Sequence, residues 1–118
     1  MRLPDRPVRN ADIEARISYL PTSEGGRVHP ARSGYRPNHD FGLAYLSDAH
    51  HFYPNGPIGP GETGAALLWF LDVTVQEKRL FPGFRFTVQE GGRLVGNGVV
   101  TKVLDGRLQK PEIPPGAG

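Results

Sequence analysis

The 118-residue chain contains no cysteine, which excludes disulfide bonds and any metal or redox site built on thiolates. A cysteine-free chain is typical of a reducing compartment, so we expect a cytoplasmic protein. The first six residues lack the apolar core that a secretory signal requires. The longest apolar run, residues 65–71, is too short to span a bilayer. The sequence therefore predicts a soluble protein without a membrane anchor.

Signatures of catalysis and of nucleotide binding are also missing. No Gly-rich loop ends in Gly-Lys-Ser/Thr, and no serine lies in a nucleophile elbow. His50 and His51 would point to opposite faces of an extended chain, and His29, His39 and Asp40 lack a recognisable ligand spacing. We therefore expect no enzyme, no metal site and no cofactor, with the histidines on the solvated surface.

Charge of one sign is scarce as well. The 14 Lys and Arg residues against 12 Asp and Glu give a net charge of +2, too small an excess to indicate a nucleic-acid partner by itself. Arg outnumbers Lys by 11 to 3, and arginine suits phosphate contacts better than lysine. A GC-rich genome produces the same bias, so both explanations stay open.

Helical periodicity is absent, while alternation with period two recurs. Sixteen Gly and twelve Pro residues leave little room for helices. Residues 13–19 alternate apolar with polar, and residues 67–76 form a longer run with Leu67, Trp69 and Leu71 on one face. Residues 84–89 and 94–104 read as two further strands. The sequence predicts an all-β chain, whose short strands would lose their exposed edges by closing into a small barrel.

The ends and one internal stretch differ in composition from these strands. Residues 1–10 and 105–118 are rich in Pro, Gly or Arg and are expected to be flexible tails around a domain of residues 11–104. The stretch Ser47–Gly61 carries three prolines and is expected to be a long loop.

The tetrapeptide Glu-Gly-Gly-Arg occurs twice, at residues 24–27 and 90–93. Each copy follows a strand-like stretch, and a Gly-Gly pair supplies the positive φ angles of a tight hairpin. Gly96 and Gly98 follow the second copy and indicate a bulge or a close approach of two backbones. Turn geometry does not explain the flanking Glu and Arg, which indicate either a binding surface or ion pairs across the turns.

The order of these motifs resembles domain three, the C-terminal domain of elongation factor Tu. The matching segments are Glu24-Gly-Gly-Arg27, Gly34-Tyr35-Arg36-Pro37, Pro60-Gly61, Gly83-Phe84-Arg85-Phe86, Glu90-Gly-Gly-Arg93, the glycine-containing run 95–100 and Lys102-Val103-Leu104. The resemblance covers residues 12–104 and implies a small closed six-stranded antiparallel β-barrel.

The resemblance also implies contacts to the T-stem backbone of aminoacyl-tRNA. They fall on Arg27, Asn38, Ser47, Gln76, Glu90 and Gly91. Arg27, Glu90 and Gly91 keep the residue types usual in the family, whereas Asn38 replaces Gln, Ser47 replaces Thr and Gln76 replaces Lys. Arginine can fork onto phosphate, and a carboxylate can accept from a 2′-hydroxyl group.

Two functions stay open at this point, because the GTPase domain and the second domain of the factor have no counterpart in the sequence. The chain could be a non-catalytic RNA-binding module that holds tRNA weakly by itself. Alternatively, it could mimic domain three in protein contacts. It would then act as a decoy, regulator or immunity protein that binds a translation GTPase domain, its exchange factor or a toxin.

Overall fold

A computed structural model describes residues 5–112 of the chain, and within them it contains an all-β barrel. The strands are β1 (Ile13–Tyr19), β2 (Asn38–Asp40), β3 (Ser47–Phe52), β4 (Thr63–Phe70), β5 (Arg85–Glu90) and β6 (Arg93–Val103). Antiparallel pairing closes them in the order β1-β4-β3-β2-β5-β6. The closed six-stranded antiparallel barrel expected from the sequence is confirmed.

Strand β1 shows the expected alternation and supplies one wall of the core. Ile13, Ala15, Ile17 and Tyr19 are buried, while the polar residues between them face outward or are only partly covered. Because β1 pairs with β4 on one side and with β6 on the other, both of its edges are occupied. Its inward side chains therefore pack into the lumen of the barrel.

Only the second Glu-Gly-Gly-Arg copy makes a hairpin. Gly91 and Gly92 have φ values of +58° and +89° and connect β5 directly to β6, where Glu90 pairs with Arg93. The hairpin expected at residues 24–27 is wrong. Both edges of β1 are already paired, so the chain instead leaves it through a 3₁₀ turn, Thr22–Glu24, that ends at Gly25 with φ +92°.

The closely spaced glycines of β6 mark a tight approach inside the barrel, as expected. A Cβ on Gly98 would overlap the ring of Phe86, lying 2.8 Å from Cε1 and closer to two other ring atoms. The Phe86 ring is itself stacked on Phe41 with centroids 4.5 Å apart. One ring of β5 therefore occupies the space that a side chain at Gly98 would need.

Strand β4 ends six residues earlier than the sequence predicts. The structure ends β4 at Phe70 and buries Ala66, Leu68 and Phe70 in the core, whereas Leu71 is 75% exposed. The expected strand over residues 67–76 fails because Asp72 begins a 3₁₀ turn, Val73–Gln76. The Asp72 carboxylate accepts from the Thr74 backbone N–H at 3.1 Å.

The expected loop from Ser47 to Gly61 is also wrong in its first half, because β3 lies within it. The polar sequence of this strand hides its alternation. Ser47, Ala49 and His51 are buried on the lumen side, and two of these three inward side chains are polar.

Contacts with the barrel extend beyond residues 11–104, the bounds expected from composition. Asp12 is 1% exposed and receives the Arg9 guanidinium at 2.6 Å, so the chain is held to the barrel before β1 begins. At the other end Leu108 is fully buried, and Leu80 and Gln109 form a parallel bridge. The segment expected to be a C-terminal tail therefore contributes Leu108 to the core. The remaining parts of the two expected tails, residues 1–4 and 113–118, lie outside the described residues.

Candidate binding surface at the paired Gly-Gly turns

The two Glu-Gly-Gly-Arg segments, far apart in the sequence, meet on one surface. The Arg27 guanidinium of the first copy pairs with the Glu90 carboxylate of the second. The Arg93 guanidinium donates to the Gly25 carbonyl oxygen at 2.8 Å and to Glu90 Oε1 at 3.3 Å. The Tyr35 hydroxyl group donates to Glu90 Oε2. We call the side chains of Arg27, Tyr35, Glu90 and Arg93 the turn cluster.

Tyr35 organises the turn cluster, and sequence reasoning did not assign it a role at the site. Its ring lies under the Arg27 guanidinium, with Cζ 4.3 Å from the ring centroid, while its hydroxyl group binds the partner carboxylate of the same arginine. Tyr35 therefore fixes both members of the ion pair. The motif Gly34-Tyr35-Arg36-Pro37 was the signal available in the sequence.

The electrostatics of the turn cluster keep Glu90 ionised. Burial would raise the pKa of Glu90, but the hydrogen bond from Tyr35 and the charges of Arg27 and Arg93 outweigh it, so the pKa lies below its ordinary value. Each carboxylate oxygen already accepts from the cluster. Two guanidinium groups against one carboxylate leave a net charge of +1. Arg93, whose side chain is 56% exposed, is the more accessible of the two cations.

Gly91 and Asn38 border the turn cluster. Gly91 is exposed at the hairpin next to Glu90, and a Cβ there would meet no atom within 4 Å. Asn38 begins β2 opposite Gln89 of β5, one residue before Glu90, and its side-chain amide donates to Asp48. The structure thus brings Arg27, Glu90 and Gly91 together and places Asn38 near them.

Ser47 and Gln76 are in different surroundings. Both are buried, and the Gln76 amide donates to Ser47 Oγ at 3.0 Å. The side-chain oxygen of Gln76, Oε1, accepts from the Arg79 guanidinium at 2.6 Å. An RNA contact from either residue stays a prediction, and it would require these buried hydrogen bonds to open.

The histidines are not arranged as expected. His39 and His51 are fully buried, with their Nε2 atoms 2.7 Å apart, so the expectation of solvated surface histidines is wrong for these two. Asp40 follows His39 on β2 but is exposed and accepts from the Gly42 backbone N–H at 2.7 Å. His39 and Asp40 are neighbours in sequence, but their side chains lie on opposite sides of β2.

A second surface feature lies where the chain leaves β4. Leu71, Tyr45 and Leu46 are 75%, 56% and 39% exposed, and with Val75 they line a hollow of about 170 Å³. We call these four residues the apolar patch. Sequence reasoning missed it because it assigned Leu71 and Val75 to one face of a continuous strand.

Two kinds of feature are absent from residues 5–112: a membrane-spanning helix and a cluster of metal-ligating side chains. Across these residues, no helix has the length and apolar character needed to cross a membrane. In the same described part of the chain, no group of three or more His, Asp or Glu side chains could hold a metal ion.

Comparison with known proteins relates the chain to part of a longer protein. No family model matches the chain. The chain is 35% identical over 105 residues to elongation factor Tu 2 of Streptomyces avermitilis, an alignment that includes 86% of this chain. It spans 25%, about a quarter, of the length of that relative. The closed six-stranded barrel and this identity confirm the resemblance to domain three, and the chain is related to elongation factor Tu over a domain-sized part of that factor.

Proposed function

We propose that this chain is a non-catalytic binding module of cytoplasmic translation that contacts the backbone of a tRNA T-stem through the turn cluster. The observation that carries the proposal is the meeting of Arg27 and Glu90 on one surface, beside the exposed Arg93. The similarity to elongation factor Tu 2 supports a translation-related role.

The chemistry of the surface suits an RNA backbone. The exposed guanidinium of Arg93 can donate to phosphate oxygens, and Arg27 can do so if a phosphate competes with Glu90. The Glu90 carboxylate, kept ionised, can accept from a 2′-hydroxyl group, which DNA lacks. Gly91 lets a sugar approach the main chain because it has no side chain.

Affinity for RNA should be low in the isolated chain. Glu90 offsets one of the two guanidinium charges, so few phosphates are neutralised and little counterion is released. Non-specific binding of this kind has a dissociation constant of roughly 10⁻⁴ to 10⁻⁶ M at physiological salt. Useful occupancy would then require a second contact on the same partner, which adds avidity.

The test is a fluorescence anisotropy titration with tRNA at low and at physiological salt. We expect binding that weakens as salt rises, a marked loss in Arg27→Ala and in Arg93→Ala, and weaker binding to a DNA duplex of matched length. Arg107→Ala is the charge control, since Arg107 pairs with Asp105 outside the turn cluster. Absence of binding at low salt, or equal affinity in Arg27→Ala and Arg107→Ala, would contradict the proposal.

The apolar patch favours a second candidate function, a protein contact. Its exposed leucines and tyrosine resemble the centre of a protein interface more than an RNA-binding surface. The partner would be a translation GTPase domain, its exchange factor or a toxin. Interferometry with purified partners tests this candidate: Leu71→Lys should abolish binding, whereas Leu104→Lys, at an exposed leucine outside the apolar patch, should not.

A further inference from the structure

A continuous chain of hydrogen bonds crosses the lumen of the barrel. It runs from the Ser47 carbonyl oxygen to His39 Nδ1 at 2.8 Å, and from His39 Nε2 to His51 Nε2 at 2.7 Å. It continues from His51 Nδ1 to the Tyr53 hydroxyl group at 2.8 Å and from there to the Tyr19 hydroxyl group at 2.6 Å. These hydrogen bonds thus join β1, β2, β3 and the residue that follows β3.

One arrangement of protons satisfies every hydrogen bond of this series with both imidazoles neutral. The Ser47 carbonyl can only accept, so His39 carries its proton on Nδ1 and its Nε2 accepts. His51 must therefore donate from Nε2, and its Nδ1 accepts from Tyr53. The Tyr53 oxygen in turn accepts from Tyr19.

The surroundings of the two imidazoles disfavour positive charge. Both rings are 0% exposed, and those of Phe41 and Phe86 pack on His39 with centroids 5.9 Å away. Among the described residues, no carboxylate hydrogen-bonds to either imidazole.

The nearby ionisable groups shift the pKa values of the two histidines in opposite directions. Burial lowers the pKa of His39 to about 4, although the Ser47 carbonyl and the charge of Asp48 on β3 oppose this. Burial also lowers the pKa of His51 well below its ordinary value, and the charges of His39 and His50 add to that effect. The other titratable groups beside the pair, Tyr19 of β1, Tyr35 and Tyr53, have pKa values raised by burial and remain uncharged.

Extra protons cannot enter this arrangement without breaking it. A first proton would place an N–H on His51 Nδ1, so the Tyr53 hydroxyl group could no longer donate to His51 and would have to accept from it. Either the Tyr53 or the Tyr19 hydroxyl hydrogen would then lack an acceptor within this series of hydrogen bonds. A second proton would set two N–H groups against each other between nitrogens 2.7 Å apart. Full protonation therefore requires the rings to separate.

The separation would fall on the junction of β2 with β3. β2 has only three residues and is paired with β3 only at Asn38 with Asp48 and at His39 with Ser47. Beyond these pairs, the His51 backbone N–H donates to the Tyr35 carbonyl oxygen at 2.8 Å. The Tyr35 ring also packs edge-on against His51 with centroids 5.8 Å apart. Movement of β3 would thus reach Tyr35 directly.

We propose that the His39–His51 pair is a proton-sensitive latch, whose protonation parts β2 from β3 and withdraws Tyr35 from the turn cluster. The latch is independent of what the turn cluster binds. It couples the lumen to the surface through one residue, because the main chain of Tyr35 bonds to His51 while its hydroxyl group holds Glu90.

The direction of the pH dependence follows from the neutral closed state. Imidazoles released from the lumen have an ordinary pKa of about 6.5, so the closed state has its full stability above that pH and loses it as the pH falls. Because two protons are taken up on opening, the opening constant should rise by up to about a hundredfold for each pH unit below that value.

The first test reads the proton positions in the unmodified chain by long-range ¹H–¹⁵N NMR of the imidazoles at neutral pH. We expect His39 as the Nδ1–H tautomer and His51 as the Nε2–H tautomer, with both rings neutral at pH 6. Any other pair of tautomers, or an ordinary titration of either ring, would overturn the proposal.

The second test measures amide hydrogen-exchange protection factors between pH 7.5 and 5. Protection at the His51 and Gly34 amides, which bond to Tyr35 and His51, should fall before protection at the Val100 amide, which bonds to Phe84. Equal loss at all three amides would indicate global unfolding and overturn the latch, as would protection that does not change with pH.

Two variants complete the test. His39→Gln keeps an acceptor for His51 but removes one titrating group. The rise in the opening constant should therefore fall to at most about tenfold per pH unit. His29→Gln removes an exposed histidine and should leave the wild-type steepness unchanged. Should His39→Gln fail to fold, the measurements on the unmodified chain still decide the proposal.

Discussion

Arg27 and Glu90 lie 63 residues apart and form an ion pair that joins the two copies of one tetrapeptide. The arginine of the first Glu-Gly-Gly-Arg copy is bound by the glutamate of the second, and the arginine of the second copy reaches back to the Gly25 carbonyl of the first. The two copies are therefore linked to each other at the surface of the barrel and do not form two independent turns.

A double-mutant cycle on Arg27→Ala and Glu90→Ala should give a coupling free energy of about 1 kcal/mol, measured by urea denaturation. The pair is only 20% and 31% exposed and shares Tyr35, so its side chains are already ordered before they pair. The coupling should decrease at high salt because part of it is Coulombic.

The Arg107–Asp105 pair is the matched control for this cycle. The Arg107 side chain is 62% exposed, and the pair has no aromatic support among the described contacts. Its coupling should be smaller than that of the Arg27–Glu90 pair, because solvent screens an exposed ion pair. Equal coupling in the two pairs would show that Tyr35 does not order the turn cluster.

The sequence predicted the parts of the fold that depend on local pattern. Alternation identified β1, and the pair of positive φ angles at Gly91 and Gly92 is a property that few other residues could supply. The same reasoning failed at residues 24–27, because whether a turn closes a hairpin depends on which strand edges are free, and β1 had none.

The features that could not be predicted from the sequence depend on contacts between residues far apart in the chain. β3 reads as polar because its inward residues include Ser47 and His51, whose partners lie on other segments of the chain. No local pattern shows that a buried histidine has a second histidine to bind. For the candidate site, sequence similarity indicated Arg27 and Glu90, whereas their direct contact and the role of Tyr35 required coordinates.

Gly98→Ala should lower the free energy of unfolding by about 1–3 kcal/mol. The new Cβ would overlap the Phe86 ring, which cannot retreat because it is stacked on Phe41. Thermal denaturation measures the loss. Gly106→Ala, whose Cβ would meet nothing within 4 Å, should stay within about 0.5 kcal/mol of the wild type. Similar values for both variants would mean that the barrel adjusts around Gly98.

Leu108→Ala should lower the free energy of unfolding by about 2–4 kcal/mol, although the residue lies after the last strand. Its side chain is fully buried in the core cluster, and truncation would leave a cavity there. Leu104→Ala, at a leucine that is 44% exposed, is the matched control and should cost less than about 1 kcal/mol. If the two variants unfold alike in urea, residues after Leu104 contribute no packing to the barrel.

Asp12→Ala should lower the free energy of unfolding by about 2–4 kcal/mol, because its carboxylate is 1% exposed and satisfies a buried backbone group. Oδ2 accepts from the Phe70 backbone N–H at 2.7 Å, and both oxygens accept from Arg9, at 2.6 and 3.0 Å. Truncation therefore removes the carboxylate acceptor of a buried backbone N–H at the end of β4.

Asp12→Asn separates the two roles of this carboxylate. The amide oxygen can still accept from Phe70, but the NH₂ group would then face the Arg9 guanidinium, so the loss should lie between the wild type and Asp12→Ala. Asp5→Ala removes an exposed carboxylate whose contact with Arg6 is 3.4 Å long, and it should change stability by less than about 0.5 kcal/mol. If Asp12→Asn proves as costly as Asp12→Ala, the Arg9 contact carries the stabilisation, because only the Phe70 bond survives in the asparagine variant.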